Sequence, residues 1–466
     1  MPVEGRDPDT CAVNEAATAA EIGVSLSTSR ISVEKLQSSL QAKAKSEPSY
    51  RFYSLWDKIC RADVLREAYR RSRANAGSPG VDGVDFEAIE TEGVDPWLGT
   101  LQEELRNKSY VPQPLLRVWI PKRNGGQRPL SIPTVKDRVV QTAVVLVLSA
   151  IFEADLRPQQ YGFRPGMDAK MAVRRVYFHI TQHNRRDIVD ADLSDYFSTI
   201  PHGPLMRCVT RRVADGTVLS VLKAWLTAAV CERAAQGRLI RTTEARDRKR
   251  GTPQGGAASP FLANLYFRRF LLAWYDRGHY ARLDAHVVNY ADDLVICCRP
   301  GNGATALALM RQLMERLGLT INDRKTRLAC VPEESFDFLG YTVGRFYGKD
   351  GRAFIGTEPS RKSVKRVIAR IHDETTRRWN LDSAEKRVAE LNTLLRGWSG
   401  YFNQGRVIRA YRVIRKYTER RLRRWLIRRQ GKRGTGYRQY PDAYLYETLG
   451  LYRFPESRAA VARAKT

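Results

Sequence analysis

The sequence predicts an α+β protein of two or three domains. Short runs of β-branched and apolar residues, broken by Gly, Asn or Asp, occur at 115–133, 187–200 and 287–298, and helical periodicity fills much of the chain between them. After residue 344 the composition changes to a helical, strongly basic pattern. At 466 residues the chain is long enough to bury substantial cores.

The elements follow in order. Residues 1–50 are rich in Ala, Ser and Glu, with one amphipathic stretch around Ile31 to Leu40, and read as a weakly ordered extension. From Tyr53 a helical pattern runs through Leu65, Ala68 and Tyr69 into "NAGSPGVDGVD", a structured loop. "LLRVWIPKRNGGQRPLSIP" gives two strands joined by a tight Asn124-Gly125 turn. Helical spacing follows from Val135 to Phe152, and "DIVDADLSDYFSTI" is a strand passing into a turn or helix. "GTPQGGAASP" (251–260) is a Gly-rich loop whose Ser-Pro opens a helix over 261–274. "VVNYADDLVICC" (287–298) is a hairpin with Ala291, Asp292 and Asp293 at its bend. No internal repeat is present, which excludes a solenoid.

Charge narrows the partners. Lys and Arg number 79 against 50 Asp and Glu, a net +29 spread along most of the chain. A folded protein this basic meets a polyanion, and nucleic acid is the commonest one. No apolar run approaches the roughly 20 residues of a spanning helix, so a membrane is not expected. The N-terminus carries acids and no apolar core, which is no signal peptide. Seven scattered cysteines without a C-x-x-C pair read as reduced, buried thiols of a cytoplasmic protein. His179 and His183 stand at i, i+4, but with no third ligand a metal site there is not expected.

The hairpin at 287–298 poses a problem of cost. Two adjacent aspartates interrupt a buried strand pattern, and a desolvated carboxylate costs several kcal/mol. An isolated Asp-Asp is ordinarily a solvated turn. The flanking β-runs and a second Asp-bearing strand, ending at Asp192, point instead to shared cations. Mg²⁺ prefers oxygen ligands, and two ions can clamp the attacking and leaving oxygens of a phosphoryl transfer.

"YADD" between Val-Val-Asn and Leu-Val-Ile resembles the catalytic box of reverse transcriptases. "NAGSPGVDGVD", "VWIPKRNGGQRPLSIPTVKDRVVQ", "FEADLRPQQYGFRPGMDA", "DADLSDYFSTIPH", "TPQGGAASPFLANLYFRRF", "LGLTINDRKT" and "FDFLGY" extend that resemblance, in order, from about residue 53 to 453. With "LNTLLRGWSGYF" and the basic helix after it, the chain is similar to bacterial group II intron reverse transcriptase/maturases. The resemblance implies a right hand: fingers over 51–185, palm over 186–347, a thumb/maturase domain over 360–434 and a tail over 435–466. By matching position, Asp192, Asp292 and Asp293 would hold two Mg²⁺ ions, with Mn²⁺ as a substitute and the Leu193 carbonyl as a further ligand. Phe197 would exclude a 2′-hydroxyl, while Lys122 and Arg128 would grip a triphosphate. Gln254 and Lys325 would face the nucleotide, and Phe338, Leu339 and Gly340 would support the primer end. The chain departs from the family pattern at Gly256-Ala257-Ala258, at Ser131 where Gly is common, and at Asp195. No catalytic group is removed by these changes.

Between Gly405 and Arg433 stand thirteen Lys/Arg and one acid, Glu419, beside an apolar helical stripe through Tyr411, Ile414, Leu422, Trp425 and Leu426. This makes a basic face on a packed helix, with Arg420, Arg421, Arg423 and Arg424 expected to contact RNA phosphates. Trp398, Tyr401 and Phe402 are expected in the core. The expected activity is RNA-directed DNA polymerisation together with maturase action. The partners would be group II intron RNA, an RNA template with a DNA primer, dNTPs, and target DNA during retrohoming. A splicing cofactor without polymerase activity would predict loss of a triad Asp, and a host-recruited relative, defence- or CRISPR-associated, is the other alternative. The last Cys and His are Cys330 and His372, so the family's C-terminal endonuclease is expected to be missing. The tail is expected to pack Tyr444, Tyr446, Leu449, Leu451 and Tyr452 onto the thumb.

Overall fold

A computed structural model describes residues 30–121, 126–233, 239–348 and 350–457. Lys122 and the Asn124-Gly125 turn lie outside the described residues. The strands, in chain order, are β1 Leu115–Pro121, β2 Gln127–Ile132, β3 Asp187–Asp192, β4 Val230–Arg233, β5 Leu239–Thr242, β6 Ala285–Tyr290, β7 Asp293–Cys298, β8 Arg327–Cys330, β9 Phe336–Phe338, β10 Tyr341–Tyr347 and β11 Ala353–Pro359. With helices in most of the remaining described chain, the protein is α+β, as expected.

The chain packs as two units, one of Met1–Phe163, Leu193–Arg277 and Arg311–Ile321, the other of Arg164–Asp192, Gly278–Met310 and Asn322–Thr466. Both units are discontinuous in sequence, and strands distant in the chain pair with one another. β3, for example, lies between β7 and β8.

In the first unit the sheet order is β2-β1-β4-β5, with β1 antiparallel to β2 and parallel to β4. The helix Val135–Phe152 matches its expected span, and the Thr134 hydroxyl caps it by accepting from Asp137 N–H. It is apolar nearly all round and correspondingly buried. The helix Ser259–Asp276 begins with Pro260 in its first turn, where a missing N–H costs nothing. Residues 30–46 correct the expectation of weak order. They form a helix that buries Val33, Leu40 and Ala44. Arg212, 1% exposed, donates to Ala44 O and Glu47 O at 2.9 Å and pairs with Asp155 at 2.8 Å. A guanidinium that cancels orphan carbonyls at a helix end is itself satisfied there.

In the second unit the antiparallel sheet β6-β7-β3-β8 is backed by the helix Ala169–Gln182. Val287, Val288, Leu294, Val295 and Ile296 are buried on both faces, which explains the unbroken apolar run. Cys297 and Cys298 are both fully buried. The expectation of buried thiols fails at Cys330, which is exposed, and at Cys208, which is half-buried. The β9–β11 sheet leads into the helices Arg361–Asp373, Ala384–Tyr401 and Ile408–Arg429. Their core joins Val367, Leu391, Leu395, Tyr411, Leu422 and Trp425 to the tail residues Leu445, Leu451 and Phe454. Tyr444, Tyr446, Leu449 and Tyr452 pack against it, so the tail docks as its apolar pattern suggests. Phe402 is buried and Trp398 packs on the same core.

Candidate active site

In the second unit the register pairs Asp192 at the end of β3 with Asp293 at the start of β7. Directly paired residues project to the same face of a sheet, and Asp190, two positions back, shares that face. The β6–β7 bend is Ala291-Asp292, with Ala291 at φ 57°, a left-handed conformation that costs a side-chain-bearing residue about 1 kcal/mol or more. Asn289 stabilises it, donating from Nδ2 to Ala291 O at 2.8 Å and to Asp293 O at 3.3 Å. The crowding has an electrostatic result. Burial first, then Asp292, Asp192 and Asp190, push the Asp293 carboxyl up to about 7, against a small opposing effect of Lys325. Burial likewise lifts Asp190 to about 6, although Arg327 lies 3.4 Å from its carboxylate.

Asp192 is held from one side. Its Oδ2 accepts from Lys325 Nζ at 3.0 Å and from Asn322 Nδ2 at 3.1 Å, and its backbone carbonyl accepts from Asn322 N–H at 2.8 Å. Asn322 in turn caps a tight turn, its carbonyl accepting from Lys325 N–H at 3.1 Å and Thr326 N–H at 2.9 Å. "INDRKT" thus does two things, and sequence reasoning caught only Lys325. The available signal was an Asn at the end of an apolar run, three residues before the Lys.

Among the described residues no group of three or more His, Cys, Asp or Glu side chains stands ready to hold a metal ion unaided. The donor set is nonetheless all oxygen and electrostatically strained, and such a set is relieved by a hard cation that brings its own waters. Asp192, Asp292 and Asp293 fit Mg²⁺ in that sense.

The first unit holds Leu193, Phe197, Arg128 and Gln254 of the expected residues. Leu193, next in sequence after Asp192, is buried, and Ser194 N–H donates to Thr320 O at 2.8 Å. Asp195 sits at φ 44° and is exposed. Phe197 is half-buried and its carbonyl accepts from Thr252 N–H at 2.7 Å, which ties this turn to the Gly-rich loop. That loop is fixed on its other side as well. Gln254 O accepts from Ser131 N–H at 2.6 Å, and Arg128 Nε donates to Gln254 Oε1 at 2.8 Å. Gly255, at φ 118°, has no room for a Cβ, which would lie 2.6 Å from Ser131 O. Arg128 and Gln254 are therefore brought together across 126 residues. Gln254, Ser198, Asp195, Arg117, Arg248 and Arg250 line a cavity of about 380 Å³ in this unit.

The expected primer support is a turn with Leu339 at φ 48° and Gly340 at φ 82°. Leu339 O accepts from the Tyr401 hydroxyl at 2.8 Å, and Gly340 O accepts from Ser360 N–H at 2.8 Å and Ser363 Oγ at 3.0 Å. Phe338 is buried, so it shapes this turn from within.

The basic face needs a correction. Arg421 and Arg423 point inward: Arg421 donates to Thr375 Oγ1 at 2.9 Å and Thr375 O at 2.9 Å. Arg423, 0% exposed, donates to Tyr440 O at 2.8 Å and pairs with Asp442. Charge alone does not reveal direction, and these two complete helix packing. Arg412, Lys416, Arg420, Arg424 and Arg428 are exposed at strict i, i+4 spacing, and Arg409 and Arg429 of the same helix are exposed outside that row.

Comparison with known proteins agrees with these features. Residues 120–343 match the family described as reverse transcriptase (RNA-dependent DNA polymerase), and residues 364–441 match the group II intron, maturase-specific domain. Protein YkfC of Escherichia coli is 31% identical over 368 residues, covering 71% of this chain and 93% of its own length. The group II intron-encoded protein LtrA of Lactococcus lactis is 28% identical over 223 residues, 46% of this chain, and the match spans only 34% of LtrA. A Saccharomyces cerevisiae protein named putative COX1/OXI3 intron 1 protein is 25% identical over 332 residues, 60% of this chain and 38% of its own length.

Proposed function

The chain belongs to the group II intron-encoded reverse transcriptase/maturase family, and we propose that it copies RNA into DNA by two-metal nucleotidyl transfer while binding a group II intron RNA through its maturase helices. The pairing of Asp192 with Asp293 on one sheet face, with Asp293 held up to about 7, is the observation that carries this reading. Bound Mg²⁺ would supply activation of the primer 3′-hydroxyl and charge stabilisation of the departing pyrophosphate. Asp192, Asp292 and Asp293 would hold it, with the Leu193 carbonyl as a further donor.

The chain's other residues bind and orient. Arg128, preorganised by Gln254, offers a planar fork to the triphosphate, with Lys122 as a point charge. Lys325 carries a cation that can neutralise either a carboxylate or a phosphate. Phe197 would exclude a 2′-hydroxyl and so favour dNTPs. Leu339 and Gly340, fixed by Tyr401, Ser360 and Ser363, would give the primer end a rigid support. The maturase contribution is RNA binding by the exposed stripe from Arg412 to Arg428, which leaves splicing chemistry to the RNA. Intron RNA, a template with DNA primer, dNTPs and target DNA are the partners in this reading, with action in the bacterial cytoplasm. Among the described residues no helix is long and apolar enough to cross a membrane.

Two assays on the full chain test this together. One is extension of a DNA primer on an RNA template with dNTPs and Mg²⁺; the other is splicing of a precursor carrying the intron RNA at low Mg²⁺. Activity in both is expected. Splicing assistance without extension would leave only the RNA-binding half standing.

A further inference from the structure

Two donors converge on the same oxygen of Asp192. Lys325 Nζ and Asn322 Nδ2 reach Oδ2 at 3.0 and 3.1 Å. They differ in what they can do next. The Lys325 ammonium sits on a flexible stem with its side chain 57% exposed, so an arriving polyphosphate can draw it away. Asn322 cannot leave so easily. Its backbone N–H is bonded to Asp192 O at 2.8 Å, and its carbonyl is committed to the turn closed by Lys325 and Thr326. The side-chain amide is therefore delivered to Asp192 by a fixed piece of backbone.

We propose that Asn322 is a positioning residue: it holds Oδ2 of Asp192 so that Oδ1 is turned to the metal, and it keeps that orientation when Lys325 is recruited by the incoming nucleotide. The proposal rests on the reading of Asp192 as a metal ligand. Asn suits the task where Lys or Arg would not, because a neutral amide orients the carboxylate without competing with a divalent cation for its charge. A carboxylate free to rotate about its χ2 would have to be ordered each time a metal binds, and each lost orientation weakens the site.

The two donors give opposite signs, which separates positioning from mere structural support. Mn²⁺ binding to the full chain without nucleotide is followed by loss of the free-ion EPR signal. Asn322→Ala is expected to weaken binding about fivefold, the worth of one hydrogen bond. Lys325→Met is expected to tighten it, because a competing cation is removed. With saturating Mg²⁺, Asn322→Ala should lower kcat and leave the KM for dNTP near the wild-type value. The backbone bond to Asp192 survives the Ala substitution, and an unchanged melting temperature verifies the fold. Mn²⁺ affinity in Asn322→Ala equal to wild type, while Asp192→Asn abolishes the site, would overturn the proposal and spare the metal reading. A wild-type chain whose Mn²⁺ binding is indifferent to Asp192→Asn would overturn both.

Discussion

Replacing Arg412, Lys416, Arg420, Arg424 and Arg428 by Gln removes five exposed cations from one row of the helix Ile408–Arg429. The row spans about 24 Å at 1.5 Å per residue and is inclined roughly 26° to the helix axis. It can therefore follow a nucleic-acid backbone that crosses the helix obliquely. Each phosphate neutralised contributes about 0.7 to the slope of log affinity against log salt for a single strand and about 0.9 for a B-form DNA duplex. Five contacts thus account for a slope of about 3.5 to 4.5, or about 100- to 500-fold between 50 and 200 mM salt. Filter binding or fluorescence anisotropy with intron RNA across that range should show the variant losing this dependence. Arg421→Gln and Arg423→Gln supply the contrast. Both side chains are buried against backbone carbonyls, so each should cost about 2–3 kcal/mol of stability and leave the slope of the folded fraction unchanged. A stripe variant with the wild-type slope would refute the argument, because the row would then face bulk solvent in the complex.

Other outcomes follow from the same geometry. The Asp293 carboxyl, at about 7 against an unfolded value near 3.8, destabilises the metal-free fold as pH rises from 4 through 7, so Asp293→Asn should raise the melting temperature at pH 8 by several degrees and have no such effect at pH 4. Equal melting temperatures at pH 8 would contradict the strain assigned to that face. Phe197→Ala should increase ribonucleotide incorporation in single-nucleotide extension, and unchanged sugar selectivity would return Phe197 to a packing role. Leu451→Ala, at a 4% exposed tail position in the helical core, should cost about 2–4 kcal/mol in urea unfolding, whereas a loss under about 0.5 kcal/mol would mean that the tail is not docked.

Much of the fold was legible because pattern and packing agree. The helix Val135–Phe152 matches its sequence span residue for residue, and the β6–β7 hairpin turns where Asp interrupts apolar strands. Residues 30–46 were misread. Ala and Ser look weakly ordered, but Arg212, distant in sequence, satisfies the carbonyls at the end of that helix. Side-chain direction was equally hidden on the basic helix. Arginines at 420, 421, 423 and 424 look alike in sequence, and only their neighbours Thr375, Tyr440 and Asp442 decide which are internal. The aspartates and Arg128 were visible as motifs. Asn289 and Asn322 were not, because an amide that bonds backbone or carboxylate carries no spacing signature of its own.

In the proposed function the face shared by Asp192 and Asp293 performs nucleotidyl transfer on an RNA template. Single-turnover incorporation of one dNTP onto an RNA–DNA primer–template, with binding of the same hybrid measured in parallel, tests it most directly. Asp192→Asn and Asp293→Asn should each lower the incorporation rate by at least about a thousandfold and change hybrid affinity less than about threefold, since the loss lies in the transition state and not in RNA contacts. Incorporation near the wild-type rate in either variant would contradict the account.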